Sequence, residues 1–228
     1  MNLDYCHIEC KKVEEAIKNN RLSWLKEYED TEKNVVKTEY CVGGEYLHRG
    51  YYCPSSVIDL ISGNIRRGRI VRRISGQNPS TFAYGFDKRN QLVTVKKQFT
   101  NEVIIRKNGI EFGITFSRDE KVENFSECVY DENKKIASYK YYTLSPWEER
   151  IIELCAEEYT YQGSNVIVDW YRYSCIDRCK PIMQHERYTF LVIDEYFASY
   201  TCDKYVDGEK VASVLDGRVF NVRVKRKA

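Results

Sequence analysis

A chain of 228 residues is long enough for one large β domain or two small domains with a substantial core. Its 36 basic residues are nearly cancelled by 34 acidic ones, which excludes global steering toward nucleic acid or an acidic membrane surface. No stretch approaches the ~20 consecutive apolar residues that cross a bilayer, and Met1-Asn2-Leu3-Asp4-Tyr5 opens without a basic region followed by an apolar run, so neither a membrane span nor a signal peptide is expected. The expected setting is the cytoplasm, where the nine cysteines stay reduced.

In chain order, residues 1–30 form the first unit. Val13, Ala16, Ile17, Trp24 and Tyr28 recur at helical spacing along a charged segment, which predicts an amphipathic helix, with Asn19-Asn20 as a point where it could divide in two. Residues 31–228 form the second. Between 31 and 80, Gly43-Gly44, Gly50, Pro54, Gly63, Gly68, Gly76 and Pro79 punctuate the chain and predict short strands or loops.

From residue 82 onward, candidate strands cover 91–99, 102–106, 110–116, 125–130, 136–142, 150–161, 166–173, 187–201, 211–215 and 218–224. Turn chemistry separates them: Asp87-Lys-Arg-Asn90, Asn108-Gly109, Arg118-Asp119, Asp131-Glu-Asn133, Gly163-Ser-Asn165, Asp207-Gly208 and Asp216-Gly217. Asn-Gly and Asp-Gly are strong hairpin signals, because a type I′ turn needs positive φ at both central residues. Successive hairpins predict a long antiparallel meander, twisted or partly wrapped.

At Ser145-Pro146-Trp147-Glu148 the local signals conflict. An N-cap Ser, a Pro at the first position and a Glu three residues after the Ser read as a helix start. Against this, Glu149-Arg150-x3-Leu154-x2-Glu157-Glu158-Tyr159 returns as Glu186-Arg187-x3-Leu191-x2-Asp194-Glu195-Tyr196, and the second copy has the β-branched and aromatic composition of a strand. A strand over 150–161 is therefore predicted, with at most a helical turn at 146–149.

Several stretches share one pattern: a Tyr- or Phe-bearing strand end, an acidic turn, then an apolar strand. They include Tyr84-Gly-Phe86-Asp87-Lys-Arg-Asn-Gln-Leu92, Cys128-Val-Tyr130-Asp131-Glu-Asn-Lys-Lys-Ile136 and Tyr159-Thr-Tyr161-Gln-Gly163-Ser-Asn-Val166. The pattern, over about residues 82–215, resembles the YD repeats of Rhs and teneurin-type proteins, although only Tyr130-Asp131 carries the full Tyr-Asp pair. Those repeats build giant shells. This shorter chain is more similar to the small immunity proteins encoded beside bacterial polymorphic toxins of the contact-dependent inhibition or Rhs type. The resemblance implies a non-enzymatic partner for a cognate protein toxin, whose active site or substrate-binding surface it would cover.

No catalytic constellation emerges. His7, His48 and His185 are the only histidines, and none lies in a nucleophile motif. Gly43-Gly44 lacks the Lys-Ser/Thr of a phosphate-binding loop. Cys6-His7-x2-Cys10 and Cys175-x3-Cys179-x5-His185 gather soft ligands, but spacings of this kind arise readily among nine cysteines, so buried thiols are expected here and no metal or other cofactor.

Binding candidates are clearer. Arg66, Arg67, Arg69, Arg72 and Arg73 form a basic run that reads as solvated arginines on an edge strand or as a phosphate or carboxylate contact. No RNA-binding fingerprint accompanies it, which disfavours nucleic acid as the partner. Alternation places Trp170 and Arg172 on one strand face and Tyr171 and Tyr173 on the other, and sets Tyr139 with Tyr141 on a neighbouring strand. Such rows serve either as cross-strand ladders or as an aromatic binding patch. A nucleic-acid-binding protein using residues 66–73 and a carbohydrate-binding repeat module are the alternatives to toxin neutralisation.

Overall fold

A computed structural model describes residues 1–57, 67–74, 80–175, 181–193, 196–206 and 209–216. A single helix, α1 (Leu3–Lys33), precedes a thirteen-stranded antiparallel sheet that does not close. Its strands are β1 (Lys37–Val42), β2 (Arg69–Val71), β3 (Phe82–Phe86), β4 (Leu92–Lys97), β5 (Thr100–Lys107), β6 (Ile110–Ser117), β7 (Val122–Tyr130), β8 (Ile136–Leu144), β9 (Ile151–Gln162), β10 (Asn165–Ser174), β11 (Ile182–Ile193), β12 (Tyr196–Val206) and β13 (Glu209–Asp216). From β3 to β13 every strand lies beside its sequence neighbour, while β1 sits between β3 and β2. The predicted mainly-β meander with an N-terminal helix is the architecture observed.

α1 does not divide at Asn19-Asn20. The Asn20 amide donates to the Ala16 carbonyl at 2.8 Å and so joins the helix rather than breaking it. Asn2 caps the start by accepting the Tyr5 N–H at 2.9 Å. The buried stripe Cys6, Cys10, Val13, Ile17 and Tyr28 runs unbroken onto Val103, Ile114, Phe125, Tyr142 and Leu154 of the sheet. Burying a side chain such as Val13 or Ile17 contributes about 1.5–3 kcal/mol.

The hairpins follow side-chain chemistry. Asn108 and Gly109 both take positive φ, 53° and 77°, in the two-residue loop joining β5 to β6. Four other hairpins share a second design. Asp87, Ser117, Asp131 and Ser145 each follow an apolar or aromatic strand end, and each closes its turn through its own N–H. Asp87 Oδ1 accepts the N–H groups of Arg89 and Gln91, and Asp131 Oδ1 those of Asn133 and Lys135. Near the end of each turn one residue adopts a left-handed conformation: Asn90, Glu120, Lys134 and Glu149. The aromatic-Asp pattern at Phe86-Asp87 and Tyr130-Asp131 thus has a physical cause, a carboxylate that satisfies two turn amides. Ser145 serves the same closure, which is why Ser145-Pro146-Trp147-Glu148 makes a turn and residues 151–162 a strand.

The match between positions 149 and 186 extends only part way. Its strand portion lies in β9 and in β11, but β9 continues through Tyr159 to Gln162, whereas β11 ends at Ile193 and β12 begins at Tyr196. The single strand predicted over 187–201 is therefore two. Arg150 precedes the first copy's strand, while Arg187 sits mid-strand, paired with Asp169 and Asp203. The predicted strand at 218–224 lies outside the described residues.

Candidate functional site

The face of the sheet opposite α1 is crossed by residues 43–57, which form a strap over β5–β9. Its key residue is Arg49, in left-handed conformation at φ 58° and wholly buried. Arg49 Nε donates to Glu102 at 2.8 Å, Nη1 to Glu111 at 2.6 Å and Nη2 to Ser126 Oγ at 3.4 Å. Arg106 takes the other Glu111 oxygen at 2.6 Å. Room for the guanidinium comes from Gly113, where a Cβ would overlap Glu102 Oε1 and Arg49 Nη2. The Tyr84 hydroxyl holds the backbone, donating to the Arg49 carbonyl at 2.9 Å and accepting the Tyr51 N–H at 3.0 Å. Further along, Ser55 and Tyr159 both donate to the buried carboxylate of Glu157, and Val57 enters the apolar cluster of Val166, Val168, Trp170, Tyr188 and Phe190.

His48 lies beside Arg49. One ring nitrogen is 3.0 Å from Glu102 and the other 2.7 Å from the Tyr139 hydroxyl, and the ring packs on Tyr141 at 4.5 Å. Burial depresses its basicity, so the neutral tautomer that donates to Glu102 and accepts from Tyr139 satisfies both contacts. Burial alone would raise Glu102, but the Arg49 guanidinium and the hydrogen bonds from His48 and Arg49 outweigh it and hold the carboxyl at about 2. Every polar atom of this imidazole is engaged inside the protein, an arrangement that locks a strap in place and leaves no nitrogen facing a substrate. Sequence reading did not single out His48 and Arg49 together with Glu102 and Glu111. The left-handed Arg49 is followed by Gly50, but no local pattern marks the buried acids of β5 and β6.

Beside the strap, a cavity of about 510 Å³ opens between Tyr46 and His48 on one side and Thr115, Glu123, Asn124 and Tyr141 on the other. At the far end of the sheet, the α1 side of β10–β12 carries two adjacent cross-strand rows. One is Tyr171, His185 and Tyr205, stacked at centroid distances of 4.4 and 4.6 Å. The other is Asp169, Arg187 and Asp203, in which Arg187 grips Asp169 with two bonds of 2.9 and 3.0 Å. Arg187, Leu191 and Lys210 are exposed on or beside these rows.

The residues singled out from sequence fall in different environments. Tyr139 is 1% exposed beneath the strap, and Tyr141 is half-buried at the cavity wall. Trp170 is buried on the strap side, Tyr171 and Tyr173 on the α1 side. Arg172 is exposed and pairs with Glu153. Over β5–β9 the strap covers the face opposite α1, so Tyr139 lies beneath it rather than on an open surface. Arg67 turns back onto the carbonyls of Cys53 and Ser55, whereas Arg69, Arg72 and Arg73 are exposed on and after β2, the end strand of the described sheet. Arg66 and Cys179 lie outside the described residues.

The two cysteine clusters do converge in part, since Cys6 and Cys10 share a core with Cys175. Burial pushes Cys10 up to about 12, as expected of an inert thiol. His185 is engaged with Asp169 at 2.8 Å. Among the described residues no group of three or more His, Cys, Asp or Glu side chains is disposed to hold a metal, and no helix is long and apolar enough to cross a membrane. A scan against protein-family models, a search of curated proteins and a search of solved structures each return no match.

Proposed function

We propose that this protein acts by binding another protein rather than by catalysis: a cytoplasmic bacterial immunity protein that covers the active site or substrate-binding surface of a cognate secreted toxin. The observation that carries the reading is the pair of rows on the α1 side of β10–β12, where Tyr171, His185 and Tyr205 stack beside the ion pair of the exposed Arg187 with Asp169. Aromatic anchors flanked by charge are the composition of interface hot spots. The engaged state of His48 supports it too, since the most enzyme-like cluster in the molecule is spent on holding the strap. The resemblance of the aromatic-Asp hairpins to polymorphic-toxin immunity proteins supplies the partner class.

The test is co-expression with the toxin domain encoded beside its gene. Growth should be restored by the intact protein and lost again with the Arg187→Glu/Tyr205→Ala double variant. Equal killing with and without the protein, or intrinsic turnover by the purified chain, would sink the proposal.

A further inference from the structure

The four hairpins built on Asp87, Ser117, Asp131 and Ser145 each place one extra residue in the following strand, where the register shifts. Those extra residues are Val93, Glu123, Ala137 and Ile152, and all four are half-buried. Three are apolar, as a half-buried position favours. The fourth is a carboxylate. Phe116 pairs with Val122 and Thr115 with Asn124, so the bulge inserts Glu123 between them and turns it, beside Asn124, into the wall of the cavity.

Among the described residues, none gives this carboxylate a hydrogen bond or an ion pair. Burial alone acts on it, raising its proton affinity. The cations around the cavity are engaged elsewhere, and the exposed Glu45 adds a second carboxylate to its lining. Arg49 binds Glu102 and Glu111, and Arg106 completes Glu111. Lys97 Nζ is held by the Glu45 carbonyl at 2.7 Å and lies over Phe82. Arg118 sits on the Phe99 ring at the rim, and His48 is kept neutral by burial. An unpartnered, partly desolvated carboxylate in a cavity is destabilising unless something binds it. The cavity is also lined by Tyr141 and by the exposed ring of Tyr46.

From this geometry we infer that the cavity receives an arginine side chain of the partner protein, with Glu123 taking the guanidinium fork and Tyr141 or Tyr46 stacking on its plane. A planar, weakly hydrated cation that bonds a carboxylate and stacks on a ring is what this wall fits, and an ammonium uses only half of it. The inference deepens the protein-binding reading and rests on it, but its test does not require the partner.

The probe is N-acetyl-arginine amide, titrated into the intact protein and followed by amide chemical shifts. Shifts should localise to Thr115, Glu123 and Asn124. N-acetyl-norleucine amide should give none, and N-acetyl-lysine amide should bind several-fold more weakly. Glu123→Gln, nearly isosteric, should reduce affinity at least tenfold, while Glu132→Gln in the exposed β7–β8 turn should leave it unchanged. Equal binding by Glu123→Gln, equal binding of the norleucine probe, or shifts confined elsewhere would overturn the inference. Failure here with toxin neutralisation intact removes only the arginine site. Probe binding without toxin rescue removes only the protein partner.

Discussion

Over β5–β9 the sheet is covered on both faces, by α1 on one and the strap on the other. Over β11–β13 the α1 side carries exposed Arg187, Leu191 and Lys210. Both regions hold aromatic rings and ion pairs, yet the consequences differ. Beneath the strap, charges are out of water, so each depends on its partner being present. At the outer strands the same residue types remain hydrated, contribute little to folding and stay available to another molecule.

The sharpest way to break this contrast is to remove Arg49. Arg49→Met leaves Glu102 and Glu111 buried with less compensation and should cost about 3–5 kcal/mol, read from the urea midpoint. Gly113→Ala attacks the same centre by overpacking the hole that admits the guanidinium and should cost about 1–3 kcal/mol. A loss below about 0.5 kcal/mol in both would mean that the strap is not held by this network.

Acidification should find the same region. His48 has a folded-state pKa below its ordinary 6.5, so the unfolded chain takes up the proton first and stability falls as pH drops below about 6.5. Glu102 is depressed from 4.5 to about 2, so its contribution is complete above about 4.5 and is lost as pH falls through that window. Denaturant midpoints between pH 8 and 3 should therefore decline in two stages, and His48→Gln should flatten the first.

The outer rows should respond in the opposite sense. Tyr205→Ala should lower partner affinity by about 2 kcal/mol, roughly 30-fold in Kd, in a calorimetric titration. Arg187→Ala should change stability by no more than about 1 kcal/mol, because its pair with Asp169 is solvent-exposed. The smallest effect belongs to Trp147→Ala. That ring is 89% exposed at the β8–β9 turn, and its removal should leave stability within about 0.5 kcal/mol.

Local chemistry made much of this fold legible. The stripe from Val13 to Tyr28, the Asn108-Gly109 turn and the aromatic-Asp strand ends act within a few residues, so spacing alone reveals them. Tyr139, Trp170, Tyr171 and Tyr173 were legible as strand residues, but not as residues that would end up covered. Alternation reports which face a side chain takes and is silent on what lies above that face. Glu123 escaped for a related reason: its significance lies in a register shift that strict alternation does not anticipate.

The sequence by itself determined the helix, the order of the hairpins and the antiparallel meander, because turns and periodicity are local and successive hairpins leave little topological choice. Only the tertiary structure decided which charges are structural. Arg49 meets Glu102 and Glu111 across 53 and 62 residues of chain, and Ser55 meets Glu157 across 102. Whether a carboxylate is buried beneath a strap or left in water depends on those distant partners, and with it whether that carboxylate holds the fold together or remains free to bind.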